Sequence, residues 1–384
     1  MIPFKQKIAG ILSATWLINS TCVVLFTVAM GGCAVHNPGA GGTAGKDVQG
    51  LNPGSHRLYH GVFPGGINMS EDHINQAELT AYEKAVKKRA AWVFFSHNWY
   101  ADRSFPQSTA KWIRDRGSIP FIRLQIWSSS EIRNRKDPKY APDKIIAGLF
   151  DADLRSWARD ARKFGSPLMV EYGVEVNGRW FPWNGQWNGG SETAKYGDPS
   201  YPDGPERFRD AYRRIIDIMK AEGANNISWV FHVSHSDHPE EKWNRLEYYY
   251  PGGNYIDIVG VSIYGPTNPR EEEAYEFRQM MDYIYPRLSK MNKPLLVLEF
   301  GCTHNYARMD QAAWAERALS DLTNGRWSNV VGISWWNEAW SRDSNPANDT
   351  NMRVQDNSDL GIVFQRLVGA NPNVLGKLDN PANF

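Results

Sequence analysis

From His56 onward the chain alternates short apolar runs with longer stretches whose apolar residues recur every three or four positions. The short runs fall at 58–63, 91–97, 119–127, 168–174, 227–233, 256–264, 295–300 and 330–336. Several are nearly continuous in Val, Ile, Leu and Phe, the pattern of parallel strands buried on both faces. Between them the spacing predicts helices over 78–88, 107–116, 152–164, 205–222, 272–290 and 311–324. The clearest is 205–222, where Phe208, Ala211, Tyr212, Ile215 and Met219 share one face and Gly223 supplies a stop. The fifth connection, through Trp243 and 248–250, is only weakly helical, and the stretch after Leu360 is expected to close the ring.

Eight strands alternating with helices over roughly 328 residues allow about 41 residues per unit, the pitch of an α/β fold of one (β/α)8 TIM barrel with enlarged βα loops. A doubly wound open sheet is the competing architecture. It would carry a glycine-rich phosphate turn after an early strand, and 61–66 holds three glycines without the GxGxxG spacing. The barrel is therefore expected over 56–384.

The N-terminus reads as an address. Lys5 and Lys7 precede a mostly apolar run from Ile8 to Met30, and small residues then lead to Cys33. Met30-Gly31-Gly32-Cys33 resembles the lipobox of bacterial lipoproteins, although Met30 stands where that motif prefers Leu. We expect a signal peptide over 1–32, lipidation of Cys33 and a flexible lipid-anchored linker over 33–55 that is rich in Gly, Ala, Asn and Pro. A plain membrane anchor or an ordinary cleaved signal is the alternative. The expected location is outside the cytoplasm, on the outer membrane or cell surface, otherwise periplasmic or secreted. Of the three cysteines, Cys22 lies in the apolar run and Cys33 would carry lipid, which leaves Cys302 without a disulfide partner.

Charge narrows the partners. Lys and Arg total 43 against 42 Asp and Glu, a net +1 that argues against a nucleic-acid ligand. No His/Cys cluster has metal-ligand spacing, and there is no GxSxG elbow or phosphate loop, so no metal or cofactor is expected. What remains is a pair of carboxylates. Barrel enzymes react at the C-terminal ends of their strands, and Glu175 and Glu299 stand there on the fourth and seventh runs. Glycosidic bond cleavage needs two such groups, one to protonate the leaving oxygen and one to attack or to activate water.

The segment GVEVNGRWFPWNG at 173–185 resembles the acid/base motif of glycoside hydrolase family 26, and LLVLEFG at 295–301 resembles that family's nucleophile strand. GVSIYG (260–265), ISWWNEAW (333–340) and WVFH (229–232) are similar to its sixth, eighth and fifth strands. The resemblance implies a retaining β-glycanase of mannanase type, with β-glucanase and β-1,3-xylanase relatives, acting on a polysaccharide. It implies Glu175 as general acid/base and Glu299 as nucleophile, with Tyr264 placed to donate to Glu299. A noncatalytic glycan-binding lipoprotein on the same scaffold is the alternative.

Three positions depart from that pattern or complicate it. Val174 replaces the His that usually precedes the acid/base, so His232 or Asn177 is expected to take over its contact with the sugar. Glu171 shares a strand face with Glu175, and Arg123 is expected to neutralise it. Glu338 follows an Asn, as acid/bases of the clan do, but comes after the nucleophile and ranks below Glu175.

The 16 tryptophans give the cleft its expected lining. Nine of them (Trp99, Trp127, Trp180, Trp183, Trp187, Trp243, Trp335, Trp336 and Trp340) fall at or after strand C-termini, where indole faces could stack on sugar rings. The candidate substrate-binding residues are thus Asn177, Trp180, Trp183, His232, Tyr264, Trp335, Trp336, Trp99 and Arg123.

Overall fold

Eight parallel strands pair in sequence order and the first closes on the eighth, making a barrel. They are β1 (Leu58–Ile67), β2 (Trp92–Asn98), β3 (Ile119–Gln125), β4 (Leu168–Tyr172), β5 (Ile227–Ser234), β6 (Ile258–Tyr264), β7 (Leu295–Gly301) and β8 (Val330–Trp340). The computed structural model describes residues 51–378 except 52, 55, 271 and 272, so the expected signal segment, Cys33 and most of the linker lie outside it. Helices α1 (Gln76–Val86), α2 (Gln107–Asp115), α3 (Pro142–Ile146), α4 (Asp151–Phe164), α5 (Asp203–Ala221), α6 (Leu246–Tyr249), α7 (Phe277–Leu288), α8 (Gln311–Thr323) and α9 (Ser358–Phe364) fill the connections. Short strands β9 (Thr350–Asn351) and β10 (Val374–Leu375) pair with β8 and β1.

The strand ends differ from the apolar runs for local reasons. β3 stops at Gln125 because the amides of Ile126 and Trp127 turn back to the carbonyls of Leu124 and Gln125. β4 stops at Tyr172 because Gly173 takes a φ of 72°. β8 runs on to Trp340, since its last residues still have partners at Gly66 and Ile67 and on β9. The helix expected from residue 272 begins at Phe277, behind a capping box made by Glu276 and Gln279. The tail does close the ring, as α9 packs between α1 and α8 and β10 then joins the edge of β1.

Side-chain volume sets the barrel's interior. A Cβ on Gly61 would stand 2.1 Å from the Trp92 indole and one on Gly332 2.6 Å from it. Trp92 fits at that level because the β1/β8 seam has no side chains there. Further up, Phe94 and Phe121 lie 4.3 Å apart and Phe63 stacks on Trp336 at 3.9 Å. Arg123 then enters this aromatic interior, a charge that the fold must answer with carboxylates.

Candidate active site

Arg123 projects from β3 into the barrel between the rings of Phe94 and Trp336, whose centroids lie 4.7 and 5.0 Å from the guanidinium carbon. Its Nε donates to Glu171 Oε1 at 3.1 Å, its Nη1 to Glu71 Oε2 at 2.9 Å, and its Nη2 to Glu299 Oε1. Burial works against its charge, and Glu71 and Glu171 outweigh it, so the guanidinium titrates above its ordinary range. The expected pairing with Glu171 is present. As a candidate sugar contact, however, Arg123 needs correction: it is buried and its three nitrogens are spent on carboxylates.

Glu299 receives a second donor from β6, the Tyr264 hydroxyl, at 2.7 Å to Oε2. Burial pushes the Tyr264 phenol well above its usual range, and the negative charge of Glu175 adds to this, so the group stays protonated and donating. Both donors favour the ionised form of Glu299.

Glu175 is made differently. It lies beyond β4 with φ 47°, in the left-handed region that a non-glycine residue enters at a cost of roughly 1–2 kcal/mol. Its carbonyl accepts the Gly178 amide at 2.8 Å, and its Oε2 accepts the Trp180 indole N–H at 2.7 Å. The indole lies against Gly178, where a Cβ would stand 2.2 Å from the ring. His235 sits near enough for the charge of Glu175 to act on it, although burial prevails and lowers its pKa.

Six of the named residues thus share one end of the barrel: Glu175, Glu299, Trp180, Tyr264, Trp336 and, beneath them, Arg123. The other expected sugar contacts are placed elsewhere or are already engaged. The ring nitrogens of His232 are occupied by Glu171 at 2.7 Å and Ser262 at 2.8 Å, and its side chain is 0% exposed, so it supports the carboxylates from below. Asn177 is buried too. Its Nδ2 reaches the carbonyls of Ser234 and Ser236, and its Oδ1 takes the Ser234 amide, so it pins the β4 loop to the β5 loop. Trp183 donates to the Val174 carbonyl at 2.9 Å and stacks on Phe181 at 4.6 Å. Trp99 packs edge-on to Tyr140 and Phe150. Trp335 points the opposite way from its neighbour Trp336, out among Phe300 and Phe364 with its N–H on the Met352 carbonyl. Strand alternation alone separates those two adjacent tryptophans.

Three residues at the site carried no role in the sequence pattern. Glu71, on the loop after β1, reaches Arg123 and accepts the Ser96 hydroxyl at 2.8 Å. Arg133, after β3, lies over the rings of Trp127 and Phe181 at 4.9 and 4.5 Å. Burial lowers its pKa to about 10, against the pull of Glu71 and Glu175, which leaves it cationic at neutral pH. Ser262 links His232 to the strand position paired with Glu299. Strand alternation could have flagged Ser262; no local signal marks the loop residues. Glu338, ranked low from its position in sequence, accepts the Trp336 indole N–H at 2.7 Å, and its charge reaches Tyr264. Among the described residues no group of His, Cys, Asp and Glu could hold a metal ion.

Residues 137–307, which contain both Glu175 and Glu299, match the model of glycosyl hydrolase family 26. Endoglucanase H of Acetivibrio thermocellus is 25% identical over 277 residues, covering 71% of this chain and 27% of its own length. A mannan endo-1,4-β-mannosidase of Bacillus subtilis is 22% identical, covering 49% of this chain and 45% of its own. The chain therefore spans less than half the length of these curated relatives. Among solved structures, a GH26 β-mannanase from Bacteroides ovatus superposes with a TM-score of 0.57 at 13% identity, covering 85% of this chain and 93% of that one. A Bacillus subtilis mannanase gives 0.52 at 19% identity, covering 82% and 88%. The family match thus spans both strand-end carboxylates, and the barrel is shared with these solved structures.

Proposed function

We propose that this protein is a retaining β-glycanase that hydrolyses β-linked polysaccharide, β-1,4-mannan or a related β-glucan or exopolysaccharide, by double displacement. The observation that carries this reading is the meeting of two carboxylates at one end of the barrel, Glu299 held by the Arg123 guanidinium and the Tyr264 phenol and Glu175 accepting the Trp180 indole N–H. A group that must stay ionised to attack needs charged or strongly polarised donors, and Arg123 and Tyr264 supply both to Glu299.

In the first step Glu299 attacks the anomeric carbon while Glu175 gives its proton to the glycosidic oxygen, and the bond to the leaving sugar breaks. In the second, Glu175 takes a proton from water, the water oxygen attacks the same carbon, and Glu299 leaves as a carboxylate. Arg123 and Tyr264 are already aimed at the oxygens on which that charge reappears. Trp180 would offer a ring face to the sugars, whereas Trp336, also expected to do so, is buried against Phe63 and Arg123. Val174 is buried with its carbonyl turned to Trp183, so the hydrogen bond that a His would give at this position is absent, a difference that bears on choice at the sugar 2-hydroxyl. We further propose that the barrel is exported and tethered through Cys33.

The test is to incubate the chain lacking residues 1–33 with a panel of β-glycans and follow the first-formed anomer by proton NMR. Appearance of the β-anomer before mutarotation is expected. An α-anomer would replace the retaining scheme, and binding without cleavage of any glycan would favour a noncatalytic glycan-binding protein.

A further inference from the structure

Only one of the three carboxylates on Arg123 reacts in the scheme above, and the other two reach the guanidinium by different routes. Glu171 belongs to the barrel wall: it is paired in register with Arg123 and backed by His232 and Ser262. Glu71 comes from outside the wall, on the loop between β1 and α1. Ser96 of β2 fixes it twice, through its hydroxyl on Oε2 at 2.8 Å and through its amide on the Glu71 carbonyl at 3.0 Å. A loop carboxylate is thereby brought into a buried cluster where an uncompensated charge is costly.

We propose that Glu71 is a positioning residue that acts on Glu299 through Arg123, holding the guanidinium in place while partly cancelling its field at the nucleophile. This rests on the assignment of Glu299 as nucleophile. A private Arg–Glu pair would hold Glu299 ionised but would also blunt its attack, because a carboxylate strongly stabilised by a cation is a poorer base. Glu171 already divides that stabilisation, and Glu71, as a third carboxylate on the same guanidinium, divides it further. Glu71 also keeps Arg123 anchored when Glu299 becomes a neutral ester, so the Nη2 donor waits where the charge returns. The two flanking rings and Glu171 close off the remaining directions of movement.

The other groups that face this pair bound the prediction. Glu299 meets Tyr264 from β6, and Glu175 and Glu338 act on that same phenol from β4 and β8. His232 lies below on β5. Glu71 is felt by Arg133 and by Tyr100 as well as by Arg123. None of these changes its covalent identity in Glu71→Gln, which keeps the size of the side chain and removes its charge.

The experiment is the pH profile of kcat/KM for Glu71→Gln, Glu71→Met and Glu71→Asp. In the two uncharged variants the acid limb is expected to move to lower pH by about half to one unit, with kcat down about tenfold and KM nearly constant. Glu71→Asp keeps the charge and should lose kcat with the limb in place. Having two uncharged replacements keeps the test usable if one of them folds poorly. An unmoved limb in both, with only a lower melting temperature, would reduce Glu71 to structural support and overturn the proposal. Labelling by a 2-fluoro glycoside separates the two levels: a label on Glu299 without a limb shift sinks the Glu71 proposal alone, and a label on another residue sinks the nucleophile assignment.

Discussion

Glu299 and Glu175 bear the same functional group in opposite surroundings. Glu299 sits on a strand, in extended backbone, and its donors arrive from two other strands of the same barrel. Glu175 sits past the end of its strand with a φ of 47°, and an indole five residues along the same loop donates to it. The strand-borne carboxylate has a cation in direct contact. The loop-borne one accepts an indole N–H, and its charge is felt by the Arg133 guanidinium. The difference lies in backbone type: neighbouring strands fix the donors of Glu299, and a turn in the left-handed region presents Glu175.

Removing each carboxylate tests the division most severely. Glu299→Gly should lower kcat by about 10^5-fold, since no intermediate can form, and azide should restore turnover as the inverted α-glycosyl azide. Recovery as the β-azide would exchange the two roles. Glu175→Gly should cost less, about 10^2 to 10^4-fold, and least on aryl glycosides whose leaving groups need no proton. Equal losses on activated and unactivated substrates would break the contrast between the two sites.

A smaller effect should follow from the indole. Trp180→Phe removes the N–H from Glu175 Oε2 and keeps most of the ring. Losing a donor to the ionised form raises a carboxyl pKa, so the basic limb of kcat/KM should move up while the acid limb stays. We expect kcat to change by no more than about tenfold. Gly178→Ala should mimic this less cleanly, because its Cβ would meet the ring at 2.2 Å and push the whole indole aside. A shift of the acid limb in either variant would mean that Trp180 serves the other carboxylate.

The same division explains what could be read from the sequence. The barrel was legible because buried parallel strands write themselves as apolar runs, and the amphipathic helices between them were close to right. Residues on strands or at their ends followed: Glu299, Tyr264 and the Arg123–Glu171 pair obey a period of two. Residues on loops did not. Trp99 and Trp183 sit after strand ends, yet they turn into the packing beneath the loops, and Asn177 spends its amide on the neighbouring loop. Glu71 reaches the centre of the site with no periodic signal, because only the closed loop brings it to Arg123. Trp335 and Trp336 differ for another reason: adjacent residues of β8 face opposite ways, so the two cannot both line the cleft.

The acid limb assigned to Glu299 has a rival that the fold itself supplies. His60, between Tyr82 and Arg89, and His97 near the end of β2 are both buried, and burial lowers each pKa to about 4. In the unfolded chain each returns to about 6.5, so as pH falls the unfolded state takes up its proton first. The stability that each neutral ring contributes is complete above about pH 6.5 and is lost on the way down to about pH 4, roughly 3 kcal/mol per histidine. The melting temperature should therefore be level above pH 6.5 and fall across the range where the acid limb is measured. His97→Met, which keeps much of the volume and cannot titrate, should flatten part of that fall in thermal melts, the rest belonging to His60 and to His235, whose pKa burial also lowers. It should leave the acid limb of kcat/KM unmoved. If the limb follows the melting curve instead, it reports protonation of the barrel, and the contrast between the two carboxylates loses its kinetic support.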